Sequence, residues 1–328
     1  MDSFEGVEKM QLREVPDPQP GPGQLLLRVK FAALNPADAF LARGMYPANP
    51  PLPHILGRDG VGEVIAVGPN VTNVRVGDIV GILRCEVGVS SWGTLAEKTV
   101  VPAPSAAPVP EGWKLEEMAC GPLALLTAYQ ALTQWSDPPA PPAAGSVVLV
   151  TGASGGVGIA TIYLAKSMNL TVVGLSRSAE KGAKLKQLGA DFIFDPSSPE
   201  VRKEVGKAIA PKKGVDLAVD NVGGPFFNQL IAMLGYGGRI SVVGRSAGPV
   251  PEFNTASLFF KRNRIGGVAV SDFTPEAAQT VWKEIVARLD AMGKRPVIDH
   301  VFSFDEVKQA FARLGQGPMG KVVVRVAG

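Results

Sequence analysis

The sequence predicts an α/β protein in which a doubly wound parallel sheet follows a β-rich first part. Three observations carry this. A glycine-rich bend, Thr151-Gly152-Ala153-Ser154-Gly155-Gly156-Val157-Gly158, sits where the apolar strand Val147–Val150 must turn into a helix over about residues 157–168. A second apolar strand, residues 170–175, arrives one helix length later, as a βαβ unit requires. From Val147 to about Val268, strands go on alternating with helical stretches, the signature of a parallel sheet covered on both faces.

Taken in order, the chain before residue 120 is rich in strands and turns. Residues 25–30, 62–67, 79–83 and 94–101 are short apolar segments, separated by Gly21-Pro22-Gly23, residues 47–53, Gly68-Pro69-Asn70 and Gly77-Asp78, a pattern that suits a compact, irregular barrel. Helical character runs from near Leu115 through Ala131. The proline-rich run 137–142 cannot continue a helix and is expected to lie beside a domain junction. Residues 216–220 and 239–244 form apolar strands, and the ends of parallel strands are where ligands sit. Val281, Ile285 and Leu289 mark one face of a helix over residues 276–292. Ser303 and Glu306 form a capping box ahead of a last helix, with Gly315 as its stop, and residues 321–326 form the last strand.

A chain of 328 residues with 46% apolar content buries a substantial core and holds two domains. No apolar run approaches the ~20 residues that span a bilayer, and the start Met1-Asp2-Ser3-Phe4-Glu5 lacks a basic region followed by an apolar one, so a cytoplasmic location is expected. The net charge of +3 comes from scattered Lys and Arg, which gives no nucleic-acid footprint. Cys85 and Cys120 have no metal or redox spacing and are expected to be reduced and buried. His54 and His300 are the only histidines, so no metal site is expected.

The bend carries the chemistry. Its glycines permit a tight turn and let backbone N–H groups approach a diphosphate, while the helix that follows points its positive end at the same charge. The next strand ends at Ser176-Arg177-Ser178, where an NAD-selective site places an acid that binds the ribose hydroxyls. No acid stands there. Ser176, Arg177 and Lys181 instead suit a 2′-phosphate, so NADPH is expected over NADH. The bland alternative is that the glycines only make a turn and that Arg177 and Lys181 are solvated.

Further motifs are Asn35-Pro36-Ala37-Asp38, Arg43-Gly44-Met45-Tyr46-Pro47, Gly57-Arg58-Asp59-Gly60-Val61-Gly62-Glu63-Val64, Asp220-Asn221-Val222-Gly223-Gly224 and Gly320-Lys321-Val322-Val323. With these placed, the chain resembles the medium-chain dehydrogenase/reductase superfamily and, within it, the zinc-free quinone oxidoreductases related to zeta-crystallin, over almost its whole length. The resemblance implies a Rossmann sheet (residues 121–261) inserted into a GroES-like β-rich catalytic domain (residues 1–120 and 262–328), a homodimer, and reduction of quinones or conjugated enones. Relatives open with an extra strand, and the short start of this chain leaves room for its absence.

The resemblance also assigns residues. Tyr46 falls at the nicotinamide end of the cleft as an orienting or proton-donating group, or else merely packs on proline rings. Asn35 turns its amide into the pocket, or only makes a local turn. The cofactor contacts are Thr127, Gly152, Ser154, Gly155, Gly156, Val157, Gly158, Ser176, Arg177, Lys181, Asn221, Val243, Gly244 and Lys321; Thr127 also reads as a mid-helix hydroxyl, and Lys321 as a solvated lysine. Zinc-dependent relatives carry a histidine where this chain has Arg58-Asp59, which form a buried ion pair in place of the metal or a surface turn. Two rival readings are a 2-enoyl-thioester reductase and a non-catalytic NADPH-binding protein.

Overall fold

The computed structural model describes residues 1–84, 86–249 and 252–326, and the Ser257 side chain lies outside the description. The chain divides into two compact units. The first comprises Met1–Leu123, Ser271–Val286 and Arg295–Gly328, and the second Ala124–Val270 and Ala287–Lys294.

In the first unit the strands are β1 (Gln24–Ala33), β2 (Asp59–Val67), β3 (Ile79–Ile82), β4 (Lys98–Pro102) and β5 (Ala106–Pro108), with a short helix α1 (Pro36–Ala42) after β1. Helix α2 (Leu115–Thr133) then leads into the second unit. That unit contains β6 (Val147–Val150), α3 (Gly156–Ser167), β7 (Thr171–Leu175), α4 (Ala179–Leu188), β8 (Phe192–Phe194), α5 (Val201–Ala208), β9 (Val215–Asp220), α6 (Phe227–Met233), β10 (Leu234–Val242), α7 (Ala256–Phe260) and β11 (Arg264–Gly267). The chain closes with α8 (Pro275–Ala291), β12 (Ile298–Ser303), α9 (Val307–Gly315) and β13 (Lys321–Arg325).

Seven strands form the first sheet, in the order β12-β13-β1-β2-β3-β5 with β4 also paired to β1. Its hub is β1, an apolar strand interrupted only by Arg28 and Lys30 and buried against two cores: Leu25 and Leu27 enter one with Val64, Val80 and Val101, while Val29 and Ala32, with Leu34 just past the strand, enter another with Phe311, Val322 and Val324. The expected capping box is present, with Ser303 and Glu306 starting the turn that leads into α9. Before β1 the described chain forms only a 3-10 turn at Val7–Lys9 and no strand.

The second sheet is parallel throughout, in the order β11-β10-β9-β6-β7-β8. Strand order reverses between β6 and β9, so the crevice at their C-terminal ends is the place where such a sheet binds ligands. All four residues of β6 are buried, which explains their unbroken apolar run.

One expected boundary is corrected. The segment from residue 262 was expected to have left the nucleotide domain, but Arg264–Gly267 pairs in parallel with β10, and the return comes at Ser271. The first boundary, expected after residue 120, falls at Leu123, inside α2, and the proline run 137–142 follows the end of that helix. Among the described residues no helix is long and apolar enough to cross a membrane. Cys120 is buried and unpaired, and Cys85 lies outside the described residues.

Candidate functional site

The glycine bend of the second unit connects β6 to α3. Gly152 has φ of +56°, which L side chains rarely adopt, and it accepts a hydrogen bond from Gly155 N at 3.0 Å, closing the turn. A side chain at Gly158 would meet the Gly152 carbonyl oxygen at 2.4 Å, so the first turn of α3 presses directly on the bend. Gly155 caps α3 with no side-chain hydrogen bond, and the first amide bonded inside the helix is Ile159 N, to Gly155 O at 2.9 Å. Ser154, Gly155, Gly156 and Val157 are only partly buried, and the open end of a helix is the kind of place where backbone N–H groups can meet an anion.

The neighbouring strand end is tied to this bend. Thr151 Oγ1 donates to Asp220 Oδ1 at 2.6 Å and accepts from Asn221 N at 2.9 Å, and Asn221 Nδ2 donates to Thr151 O at 2.8 Å. Asn221 Oδ1 is buried and has no partner. Val243 N and Gly244 N both donate to Asp220 O, at 2.8 and 3.1 Å, which brings the end of β10 to the same place. An orphaned acceptor beside a cradle of backbone donors fits a dinucleotide carrying phosphates and ribose hydroxyls.

At the end of β7, Ser178 caps α4 by accepting from Lys181 N at 3.3 Å, and Ser176 Oγ donates to Ser178 O at 3.0 Å. Arg177 is exposed. One acid was missed here. Asp195, just past β8, accepts from Ser197 N and Oγ at 2.8 and 2.6 Å; the Ser197 bonds hold its carboxyl below the usual range, and Arg177 adds to the effect. Its closeness depends on the pairing of β7 with β8, which local sequence does not reveal. Thr127 is buried in α2.

In the first unit, a polar cluster forms where β13, β1 and β2 lie side by side. Ala33 is in register with Val323 on one side and Asp59 on the other, so Asn35, Lys321 and Asp59 leave neighbouring strands together. Lys321 Nζ donates to Asp59 Oδ2 at 2.9 Å and to Asn35 Oδ1 at 2.5 Å, while Asn35 Nδ2 donates to Asp59 Oδ2 at 3.0 Å. Asp59 Oδ1 accepts from Leu123 N at 3.2 Å. The Lys321 and Asp59 side chains are 7% and 1% exposed.

Three expectations change here. Lys321, expected as a solvated lysine or a cofactor contact, is an interior ion-pair partner, because β13 is sandwiched between β12 and β1. Asn35, expected to offer its amide to substrate, spends it on Asp59 and Lys321, and its backbone N–H goes to Asp38 Oδ2 at 2.8 Å in a capping box that starts α1. Arg58 and Asp59 do not pair with each other, since successive residues entering a strand point to opposite sides. Arg58 turns instead to Tyr46: its Nη1 donates to the Tyr46 hydroxyl at 3.0 Å, and its guanidinium carbon lies 5.4 Å from the ring centre.

Asp38 is the residue of this cluster that the sequence reading passed over, although the Asn-x-x-Asp spacing before a helix signals a capping box. Burial pushes its carboxyl up to about 6, with Asp59 adding to the rise, while the Asn35 N–H, Arg58 and Lys321 pull it down. The folded carboxyl therefore keeps its proton to higher pH than the unfolded one, and this group's contribution to stability falls as pH rises from about 4 to 6. In Asp38→Asn that decline is absent. Denaturant unfolding at pH 4 and pH 7 is expected to show the variant gaining up to about 3 kcal/mol on the parent across the window; parallel curves would refute the assignment.

With this geometry in hand, known proteins match along the chain. The alcohol dehydrogenase GroES-like domain model matches residues 21–111 and the zinc-binding dehydrogenase model residues 156–291. Quinone oxidoreductase of Sus scrofa is 30% identical over 98% of this chain and 95% of its own length. The chain belongs to the zeta-crystallin-like quinone oxidoreductase family of the medium-chain dehydrogenase/reductase superfamily. It is an oxidoreductase. Acryloyl-coenzyme A reductase of Sulfurisphaera tokodaii is 30% identical over 96% of each chain. Among solved structures, an NAD-dependent alcohol dehydrogenase is 32% identical with a TM-score of 0.89, covering 100% of this chain and 98% of its own. A mycobacterial protein complexed with NADPH is 26% identical with a TM-score of 0.88, covering 99% and 98%.

Among the described residues the donor set does not fit the zinc in one family description. An ammonium covers the Asp59 carboxylate, and among the described residues no group of three His, Cys, Asp or Glu side chains is arranged to hold a metal ion.

Proposed function

We propose that the protein is an NADPH-dependent, zinc-independent reductase of quinones or α,β-unsaturated carbonyl compounds. The observation that carries the reading is the Tyr46 hydroxyl held by the Arg58 guanidinium, a cation-backed donor of the kind that polarises a carbonyl oxygen where no metal does so. NADPH, when bound, supplies a hydride from the nicotinamide C4. The Gly152–Gly158 bend holds the diphosphate on backbone N–H groups, and Asn221 Oδ1 accepts from a cofactor hydroxyl or amide. Thr127, Val243 and Gly244 belong to the same cofactor surface. Tyr46 orients the substrate carbonyl and gives its proton once the hydride has arrived. Asn35 and Lys321 act at one remove: Lys321 neutralises Asp59, Asn35 donates a hydrogen bond to it, and together they hold the start of β2.

Preference for the phosphorylated cofactor follows from Ser176, Arg177 and Lys181, and the NADPH-bound mycobacterial relative supports it, whereas the NAD-dependent alcohol dehydrogenase points the other way. The test is steady-state kinetics with both cofactors against panels of quinones and enones. A higher kcat/KM for NADPH is expected, and Arg177→Ala is expected to cut it about 10- to 100-fold while sparing NADH, the worth of one or two charge-assisted hydrogen bonds. Equal use of both cofactors by the parent would refute the preference, and no turnover with any acceptor would refute the activity.

A second reading, reduction of 2-enoyl thioesters, is favoured by the same free phenol proton and by the likeness to an acryloyl-coenzyme A reductase. The proposal includes a cytoplasmic homodimer. The unpaired edge of β11, beside the exposed Phe259 and Phe260 at 66% and 74%, is the surface on which a second copy extends the sheet.

A further inference from the structure

We propose that Arg58 is a positioning residue for Tyr46, turning the phenol proton toward the substrate and receiving the charge that remains when the proton leaves. This rests on the reading of Tyr46 as proton donor.

Arg58 is itself held firmly. Its neighbour Gly57 accepts from Thr94 N at 3.0 Å, and Thr94 Oγ1 donates to Asp59 O at 2.8 Å, so the backbone on both sides of Arg58 is tied to one residue. A guanidinium has donors only, so in the 3.0 Å contact the Tyr46 oxygen must be the acceptor. The phenol proton is then left for another partner, and it has no acceptor among the described residues. Among the described residues Arg58 in turn has no carboxylate within ion-pair distance, although its Nε is buried without a partner. A partly buried cation is costly unless something needs its charge. Its field also reaches the buried Asp38 carboxyl, but its hydrogen bond goes to a phenol, which needs a cation when it loses its proton.

The step balances. The bound cofactor would supply hydride to the β-carbon of the enone, its C4–H bond breaking and the nicotinamide being oxidised as the C=C electron pair moves to give an enolate. The Tyr46 O–H bond breaks, a new bond forms between that proton and the enolate, and a phenolate is left on the Arg58 N–H. Solvent water returns the proton.

The test is a double-mutant cycle on enone reduction at saturating NADPH, using Tyr46→Phe, Arg58→Met and the pair, with Arg58→Lys as the conservative replacement that keeps a charge if Arg58→Met fails to fold. Arg58→Met is expected to lower kcat about 10- to 100-fold with the NADPH KM unchanged, and Arg58→Lys to recover part of the loss. The pair should be no slower than Tyr46→Phe alone, to within about twofold, because a residue acting through the phenol has nothing to act on once the hydroxyl is gone. Losses that multiply, or an unaffected Arg58→Met, would overturn the inference and leave Tyr46 as donor. A fully active Tyr46→Phe would overturn both readings.

Discussion

Replacing Lys321 by methionine is expected to lower the melting temperature by about 6–20 °C. Among the described residues the ammonium is the only full positive charge bonded to the Asp59 carboxylate, at 2.9 Å, and both side chains are nearly inaccessible. Removing one partner of a buried pair leaves the other charge in a poorly solvating interior, at a cost of about 3–5 kcal/mol, and for a domain of this size each kcal/mol is worth about 2–4 °C. Asn35 Nδ2 and Leu123 N still donate to the stranded carboxylate, but they are neutral. The control is Lys184→Ala, which breaks the exposed i,i+4 pair with Glu180 and is expected to leave melting unchanged. The decisive comparison adds Asp59→Asn to Lys321→Met. If the loss is that of an uncompensated charge, the double variant recovers most of it, since a neutral pair carries no stranded ion. A double variant as unstable as the single one would show instead that Lys321 matters for its aliphatic packing, and a single variant that melts like Lys184→Ala would remove the buried pair from the account altogether.

The parts of this site that could be read in the sequence are those whose cause is local. The bend at Gly152 is legible because a positive φ and the press of α3 on the turn at Gly158 demand glycine within a few residues of an apolar strand. The parallel sheet is legible because β6, β7 and β9 are short, buried and separated by helix-length segments. The polar cluster is different in kind. Lys321 meets Asn35 across 286 residues of chain, and only the rung that aligns Ala33 with Val323 and Asp59 brings them together. Nothing near Lys321 in the sequence distinguishes an interior ammonium from a solvated one. The same holds for β11, whose four residues Arg264–Gly267 alternate too weakly to reveal that they pair with β10, and for Asp195, placed near Arg177 by the pairing of two strands. Family likeness named Asn35, Asp59 and Lys321 without indicating which of them face each other, and no local sequence signal foretells the Arg58–Tyr46 contact.

Tyr46→Phe separates the acceptor classes that the reading leaves together. With an enone or an enoyl thioester, hydride transfer leaves an enolate that must take a proton at a defined atom, and loss of a positioned general acid costs about 10²–10⁴-fold in turnover. With a quinone the product of hydride transfer is a hydroquinone anion, a weak base stable enough to wait for a proton from water, so turnover is expected to stay within a few-fold of the parent. The substitution is well suited to this comparison, because Phe keeps the ring that packs against the first core and lies beneath the Arg58 guanidinium, and removes only the oxygen. Thermal melting should therefore be unchanged, so any loss is chemical. Measuring kcat and KM for one quinone, one cyclic enone and a crotonyl thioester at saturating NADPH gives the pattern. A selective fall for the last two assigns Tyr46 as proton donor to carbon. An equal fall for all three would make it a carbonyl-orienting group that the hydride step itself requires, and an unchanged rate for all three would move the proton donor elsewhere and leave the Arg58–Tyr46 contact as packing.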